Sequence, residues 1–384
     1  MNSSKSRWLH VTVCAVLGVA LAACQRTPDV VKIGVGQPLS GPLQKLGEDM
    51  VNGARLAVDE INAQGGVLID GSRVRLELVT ADDRADALAG VEAARNLVDA
   101  GALVALAHLN SGVSIEAAPV YAMADVPQLA ISTKPSYTEL NLLTTLRLVA
   151  NDKLQARAMG QYAAELAGAE RFAVIDDNTP YGKGLADDAA AAIGGQGRTI
   201  ALRLSLDNKT TEFSGLVAEL GRTSTDVIVT TLADFQVGAL IRQLDKAGLA
   251  SQMRILGGDT IKTDKLPQSA IPIKAVYATS SIVEAKEFPG GKVFLEKFRA
   301  KYNAEPVYGA HYAYDAVYLV ADAMARNASI DKKALVNTLK SFDGNCPMTN
   351  SMRFGADGEQ RYGAVAVYQI RGGAWEPLMR SDRW

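Results

Sequence analysis

Ser111, Ser132, Thr133, Lys134 and Asp259 share one circumstance: each lies just behind a run that reads as a buried β-strand. In an open parallel sheet the crevice beyond the strand ends is where ligands bind, because helix N-termini there present unpaired N–H groups. Behind Leu103–Ala107 comes His108-Leu109-Asn110-Ser111-Gly112, opening a helical stretch. Ser111 is placed as an N-cap, and its hydroxyl with the following amides suits a carboxylate as well as a plain cap. Ser132-Thr133-Lys134-Pro135-Ser136 is a second hydroxyl-rich loop, either facing the same crevice or forming a solvated turn. Asp259, after Gly257-Gly258, is either a cation acceptor in a loop that backbone can approach closely or a solvated turn residue.

Catalytic patterns are sparse. The chain has no His-Glu-x-x-His, Gly-x-Ser-x-Gly or Walker A run, and Gly34-x-Gly36 lacks the third glycine of a dinucleotide fingerprint. His108 and Ser111 have the spacing of a base and a nucleophile, but no orienting acid is evident, and a buried or solvated histidine is the plainer reading. Neither an enzyme nor any cofactor is expected.

The elements that must position these residues follow a steady beat. Val30–Val35 reads as a strand and Glu48–Ala63 as a helix stopped by Gly65-Gly66. An alternating strand about Val74–Leu78, the helix Ala85–Ala100 and the strand Leu103–Ala107 follow. After residue 150 the beat restarts through helix 152–167, strand 171–176, helix 184–193, strand 200–204, helix 212–220, strand 227–231, helix 237–247 and strand 254–256. So many alternating units predict two doubly wound α/β lobes rather than one.

The 384 residues carry 40 Lys plus Arg against 42 Asp plus Glu, a net charge of −2 with no basic excess to attract nucleic acid. A 48% hydrophobic composition can fill two cores. The three cysteines, Cys14, Cys24 and Cys346, suggest neither a zinc site nor a disulfide framework, and Cys346 is expected as a free thiol. Lys5 and Arg7, the apolar run from Trp8 to Ala20 and Leu21-Ala22-Ala23-Cys24 read as an export signal over residues 1–23, with 24–29 as a tether. The run is shorter than the ~20 residues of a bilayer span. Its end resembles a lipobox, which implies acyl groups on Cys24, a membrane anchor and an extracytoplasmic location.

Val31-Lys32-Ile33-Gly34-Val35-Gly36-Gln37-Pro38-Leu39-Ser40-Gly41-Pro42 and Ile61-Asn62-Ala63-Gln64-Gly65-Gly66-Val67 resemble the leucine/isoleucine/valine-binding protein family. So do Asp177-Asn178-Thr179-Pro180-Tyr181-Gly182-Lys183-Gly184, Phe213-Ser214-Gly215-Leu216, Ala247-Gly248-Leu249 and Tyr314-Asp315-Ala316-Val317, in matching order. These are the substrate-binding components of branched-chain amino acid ABC transporters. The resemblance implies a type I periplasmic-binding fold: two Rossmann-like lobes joined by a three-segment hinge, residues 30–150 with 282–352 and residues 151–281 with 353–384. It implies that Ser111 and the Ser132, Thr133, Lys134 loop grip an α-carboxylate, that Asp259 receives the α-ammonium and that Tyr181 packs over the ligand. Asn110, Leu46, Phe235 and Tyr308 are further lining positions. Leu46 stands where an aromatic is usual and Lys134 where a Thr is usual; Lys134 either meets an acidic ligand group or turns its charge outward. The implied function is a monomeric receptor that delivers a small amphoteric ligand to an ABC permease. A ligand sensor using the same cleft is the alternative.

Overall fold

The computed structural model describes residues 28–267 and 272–381, so Cys24 and the stretch read as an export signal lie outside the described residues. The first sheet holds β1 (Val30–Gln37), β2 (Val67–Ile69), β3 (Ser72–Asp82), β4 (Ala102–Ala107), β5 (Gln128–Ala130) and β6 (Thr145–Arg147) in the order β2-β3-β1-β4-β5-β6. All neighbours are parallel except the β2–β3 hairpin. β4, Ala-Leu-Val-Ala-Leu-Ala, is buried at every residue, as a strand covered by helices on both faces must be. α1 (Gln44–Ala63), α2 (Ala87–Asp99) and α3 (Ser111–Met123) supply that cover. α2 begins where Asp86 accepts from the Ala89 N–H at 2.9 Å, a side-chain cap that fixes its start.

The second sheet follows α4 (Asp152–Glu165) and comprises β7 (Arg171–Asp176), β8 (Thr199–Ser205), β9 (Val227–Thr230), β10 (Arg254–Gly257) and β11 (Ala275–Ser280). α5 (Pro180–Gly195), α6 (Ser214–Arg222) and α7 (Asp234–Lys246) alternate with the strands. The chain then returns through α8 (Gly291–Tyr302), α9 (Ala310–Asn327), α10 (Lys332–Lys340) and the short hairpin β12 (Asp343–Gly344) and β13 (Met352–Arg353). Phe294, Phe298, Val317, Leu339 and Phe354 share one core with Ile33, Val104 and Leu146 of the first sheet. Finally β14 (Ala366–Arg371) and β15 (Ala374–Arg380) add antiparallel to the second sheet, giving β15-β14-β11-β10-β9-β7-β8.

The result is the expected pair of doubly wound α/β lobes of the type I periplasmic-binding architecture, the chain crossing between them three times. The third crossing differs from the expected boundary at 352/353. Arg353 still pairs with Asp343, and Phe354 still lies in the first core, so the chain leaves lobe one only across residues 355–365. The expected end at 352 followed the resemblance; the hairpin is too short to announce itself in sequence.

Two positions bind α1 to α9 at backbone distance. A Cβ on Gly53 would lie 1.9 Å from the Ala310 carbonyl oxygen, so only glycine fits. One turn earlier, the buried Asp49 carboxylate accepts from the backbone N–H groups of Val307, Tyr308 and Ala310 at 2.8, 3.0 and 2.9 Å. It satisfies donors that the start of α9 leaves free.

Candidate functional site

In each sheet the strand order reverses once, between β1 and β4 in the first and between β7 and β9 in the second. Asn110 and Ser111 follow β4 and Tyr181 follows β7 at these switch points, while Ser132–Lys134 leave the neighbouring β5 and Asp259 leaves β10.

On lobe one, Ser111 is the first helical residue of α3, and Asn110 rather than Ser111 stands at the cap, without a side-chain capping bond. Ser111 Oγ instead accepts from the Lys134 N–H at 3.2 Å, tying the α3 start to the loop behind β5. Ser132 is 2% exposed, and its hydroxyl has no partner; the Asn110 amide oxygen is also buried without one. Lys134 is half-buried, and its ammonium makes no ion pair among the described residues.

His108 does not join Ser111. It is buried, with Nδ1 2.8 Å from Asp83 Oδ2 and Nε2 3.3 Å from the Tyr121 hydroxyl. Its backbone N–H meets Ser114 Oγ at 3.2 Å. The trio pins the ends of β3 and β4 together beneath the cleft. An Asp83→Ala chain should lose about 2–4 kcal/mol in chemical denaturation, since the imidazole and the Ala85 N–H are left unpaired, while ligand-induced stabilisation persists. Loss of that ligand effect in a folded variant would contradict the assignment.

On lobe two, Asp259 follows β10, and both its oxygens are engaged. Oδ2 accepts from Gln155 Nε2 at 2.9 Å and from the Tyr181 hydroxyl at 3.1 Å; Oδ1 accepts from the Ser281 N–H at 3.2 Å. Gln155, on α4, is held in turn by Thr279 O at 3.2 Å and by the Ser281 hydroxyl at 3.3 Å. Tyr181 stands on the first turn of α5, whose start is capped by Thr179 Oγ1 accepting from the Gly182 N–H at 3.0 Å. A Cβ on Gly258 would lie 3.3 Å from the Tyr181 hydroxyl and 3.1 Å from Leu185, so the glycine leaves Tyr181 close against the loop of the acid.

A second acid joins them. Asp152 opens α4 at the first crossing; its N–H donates to Thr133 O at 2.8 Å, its side chain is buried, and Oδ1 has no partner. Burial raises its pKa to about 7, with the Asp259 charge adding to the rise and the Thr133 hydroxyl and Arg147 opposing it. Tyr181 of lobe two and Tyr308 of lobe one both have their hydroxyl pKa driven up, by burial first and then by Asp259 and Asp152. Tyr181 touches Asp259 directly, and Tyr308, from the other lobe, feels the charge of both acids. Leu46 is half-buried on α1, and Phe235, at the start of α7, is 52% exposed.

Asp152, Gln155 and Arg147 escape a reading of the sequence. An acid at the first position of a helix reads as a partner for the helix dipole, and a glutamine one turn on as part of a solvated face. Among the described residues no group of three or more His, Cys, Asp or Glu is arranged to hold a metal. None of the described helices is long and apolar enough to cross a membrane.

A model of the family described as "Periplasmic binding protein" matches residues 30–374. The chain belongs to the periplasmic binding protein family. It is 29% identical over 370 residues to the Leu/Ile/Val-binding protein homolog 2 of Brucella abortus, covering 96% of this chain and 97% of that one. It is 31% identical over 338 residues to an amino acid binding protein of Pseudomonas aeruginosa, covering 87% of each. Among solved structures, an ABC transporter substrate-binding protein of Desulfitobacterium hafniense in complex with Leu superposes with a TM-score of 0.76 at 26% identity, covering 91% of this chain and all of that one. Periplasmic binding proteins of ABC transporters are extracytoplasmic solute-binding components, so the chain belongs to a family of binders rather than of enzymes.

Proposed function

We propose that this periplasmic binding protein is the receptor of an ABC transporter that captures an α-amino acid, branched-chain or related, between its two lobes. The observation that carries this reading is a pair of unpartnered buried groups of opposite demand at one junction: the Ser132 hydroxyl, free to donate, and the Asp152 carboxyl oxygen, free to accept. Buried polar groups are ordinarily satisfied, and an amphoteric ligand satisfies both at once. Its carboxylate meets Ser111, Ser132 and Thr133, with Lys134 beside them; its ammonium meets Asp152 and Asp259; Tyr181 and Tyr308 cover it from either side. Asn110 and Leu46 are left to read the ligand's side chain. Hinge closure seals the cleft, and the closed form is presented to the permease. Acyl groups on Cys24 keep the receptor at the membrane.

A thermal-shift screen of the mature chain against amino acids, their amides, dicarboxylates and aromatic acids tests this. A ligand at about 100 times its Kd adds ~2.7 kcal/mol. The expected hit is an α-amino acid, lost in Asp259→Ala. Silence across all amino acids, or a hit that survives both Asp259→Ala and Ser111→Ala, would overturn the reading.

A further inference from the structure

We infer that Arg147 is the positioning residue of the loop at 132–134, and that Glu359, from the third crossing, holds Arg147 in register. Arg147 ends β6, and its side chain is wholly buried. Its guanidinium spends every nitrogen. Nη1 donates to Ser132 O, and Nη2 donates to Lys134 O at 2.8 Å and to Thr138 Oγ1 at 3.3 Å. Nε reaches the two Glu359 oxygens at 3.2 and 3.1 Å, and Nη2 reaches Oε1 at 3.2 Å. Thr133 O, between the two carbonyls that Arg147 holds, is taken by the Asp152 N–H. All three carbonyls of the loop are thus consumed by protein donors, and what the loop retains for a ligand is donor capacity, chiefly the unpartnered Ser132 hydroxyl. A loop built to hold an anion must keep its acceptors turned away, and one planar fork does that at two of three positions.

The origin of the counter-charge gives this arrangement a reach beyond the loop. A buried guanidinium requires a matched carboxylate, and the one present comes from 212 residues away, on the segment that runs from the first core into the second sheet. That segment is seated on β6 as well: the Arg147 N–H donates to Gly358 O at 2.9 Å. Gly358, at φ +83°, has no room for a Cβ, which would lie 2.1 Å from Thr145 O. The geometry of the loop and the seating of a crossing segment therefore depend on the same ion pair. The term anion rests on the proposed function; the mechanical dependence does not.

Glu359→Gln keeps the shape and removes the charge; Arg147→Lys keeps the charge and loses the fork. In hydrogen exchange of the unliganded chain, both variants should speed exchange in peptides covering 130–138 and 355–365 about tenfold, with the 227–230 strand unchanged. With L-leucine as probe, both should raise Kd about tenfold or more, and combining them should add little further, since the two residues act as one unit. A uniform loss of melting temperature, with exchange at 130–138 and the leucine Kd unmoved, would reduce the pair to a structural filler and overturn the inference. If the native chain binds no amino acid, the proposed function fails, and the exchange experiment still decides this one. Should Arg147→Lys fail to fold, Glu359→Gln alone carries the test.

Discussion

An Asp152→Asn chain is expected to bind its amino acid about 10- to 100-fold more weakly at pH 8 than the native chain, the loss of one charge-assisted contact. It should also lose a pH dependence that the native chain shows. Burial raises the native carboxyl to about 7, so near neutral pH a large fraction of unliganded molecules carry a proton there. An ammonium ion favours the ionised form, and binding below that pH must expel the proton. Affinity should therefore fall as pH drops below about 7, approaching tenfold per unit, and level off above it. Calorimetry in two buffers of different ionisation enthalpy should register proton release in the native chain and none in Asp152→Asn. A flat profile without proton release would exclude Asp152 from the ammonium site. Without ligand the sign reverses: a carboxyl whose folded pKa is raised lends stability at low pH, and that contribution is lost as pH climbs from the unfolded value of 3.8 through the folded one.

Asp49→Ala should produce the largest loss of stability, about 4 kcal/mol or more. Three backbone donors, at Val307, Tyr308 and the buried Ala310, lose their acceptor together. At Ala310 solvent does not readily replace it, because Gly53 brings α1 against the Ala310 carbonyl. The damage should extend to binding, since the same carboxylate holds the Tyr308 N–H. Asp49→Asn, which keeps one accepting oxygen, should recover part of both. Urea unfolding with the melting shift of each variant checks this, and a cost below about 1 kcal/mol for Asp49→Ala would show that the start of α9 is held by other contacts.

The alternation of buried runs and helical stripes makes the two lobes legible in sequence, because parallel strands such as β4 are apolar throughout and give way abruptly to polar loops. The same punctuation exposes Ser111, Ser132 and Asp259. What stays hidden is partnership over long separations. Arg147 meets Glu359, Gln155 meets Asp259, and no local pattern in either segment names the other. Asp152 is hidden for a different reason: its perturbation comes from a burial that only the meeting of the lobes creates. Phe235 was expected near the ligand and stands half in solvent, since the register of the β9–α7 turn decides which of Ala233, Asp234 and Phe235 faces inward, and hydrophobicity does not.

The return of the chain through lobe one has a consequence for its birth. Lobe one is unfinished until Phe354 joins its core, and the second sheet leaves β11 as a bare edge until β14 arrives. Domains usually fold in order as they emerge from the ribosome; here neither lobe has that option while the last tenth of the described chain is unmade. A truncation before residue 354 should therefore leave two unfinished lobes, the first without Phe354 and the second sheet without β14, rather than one finished and one missing.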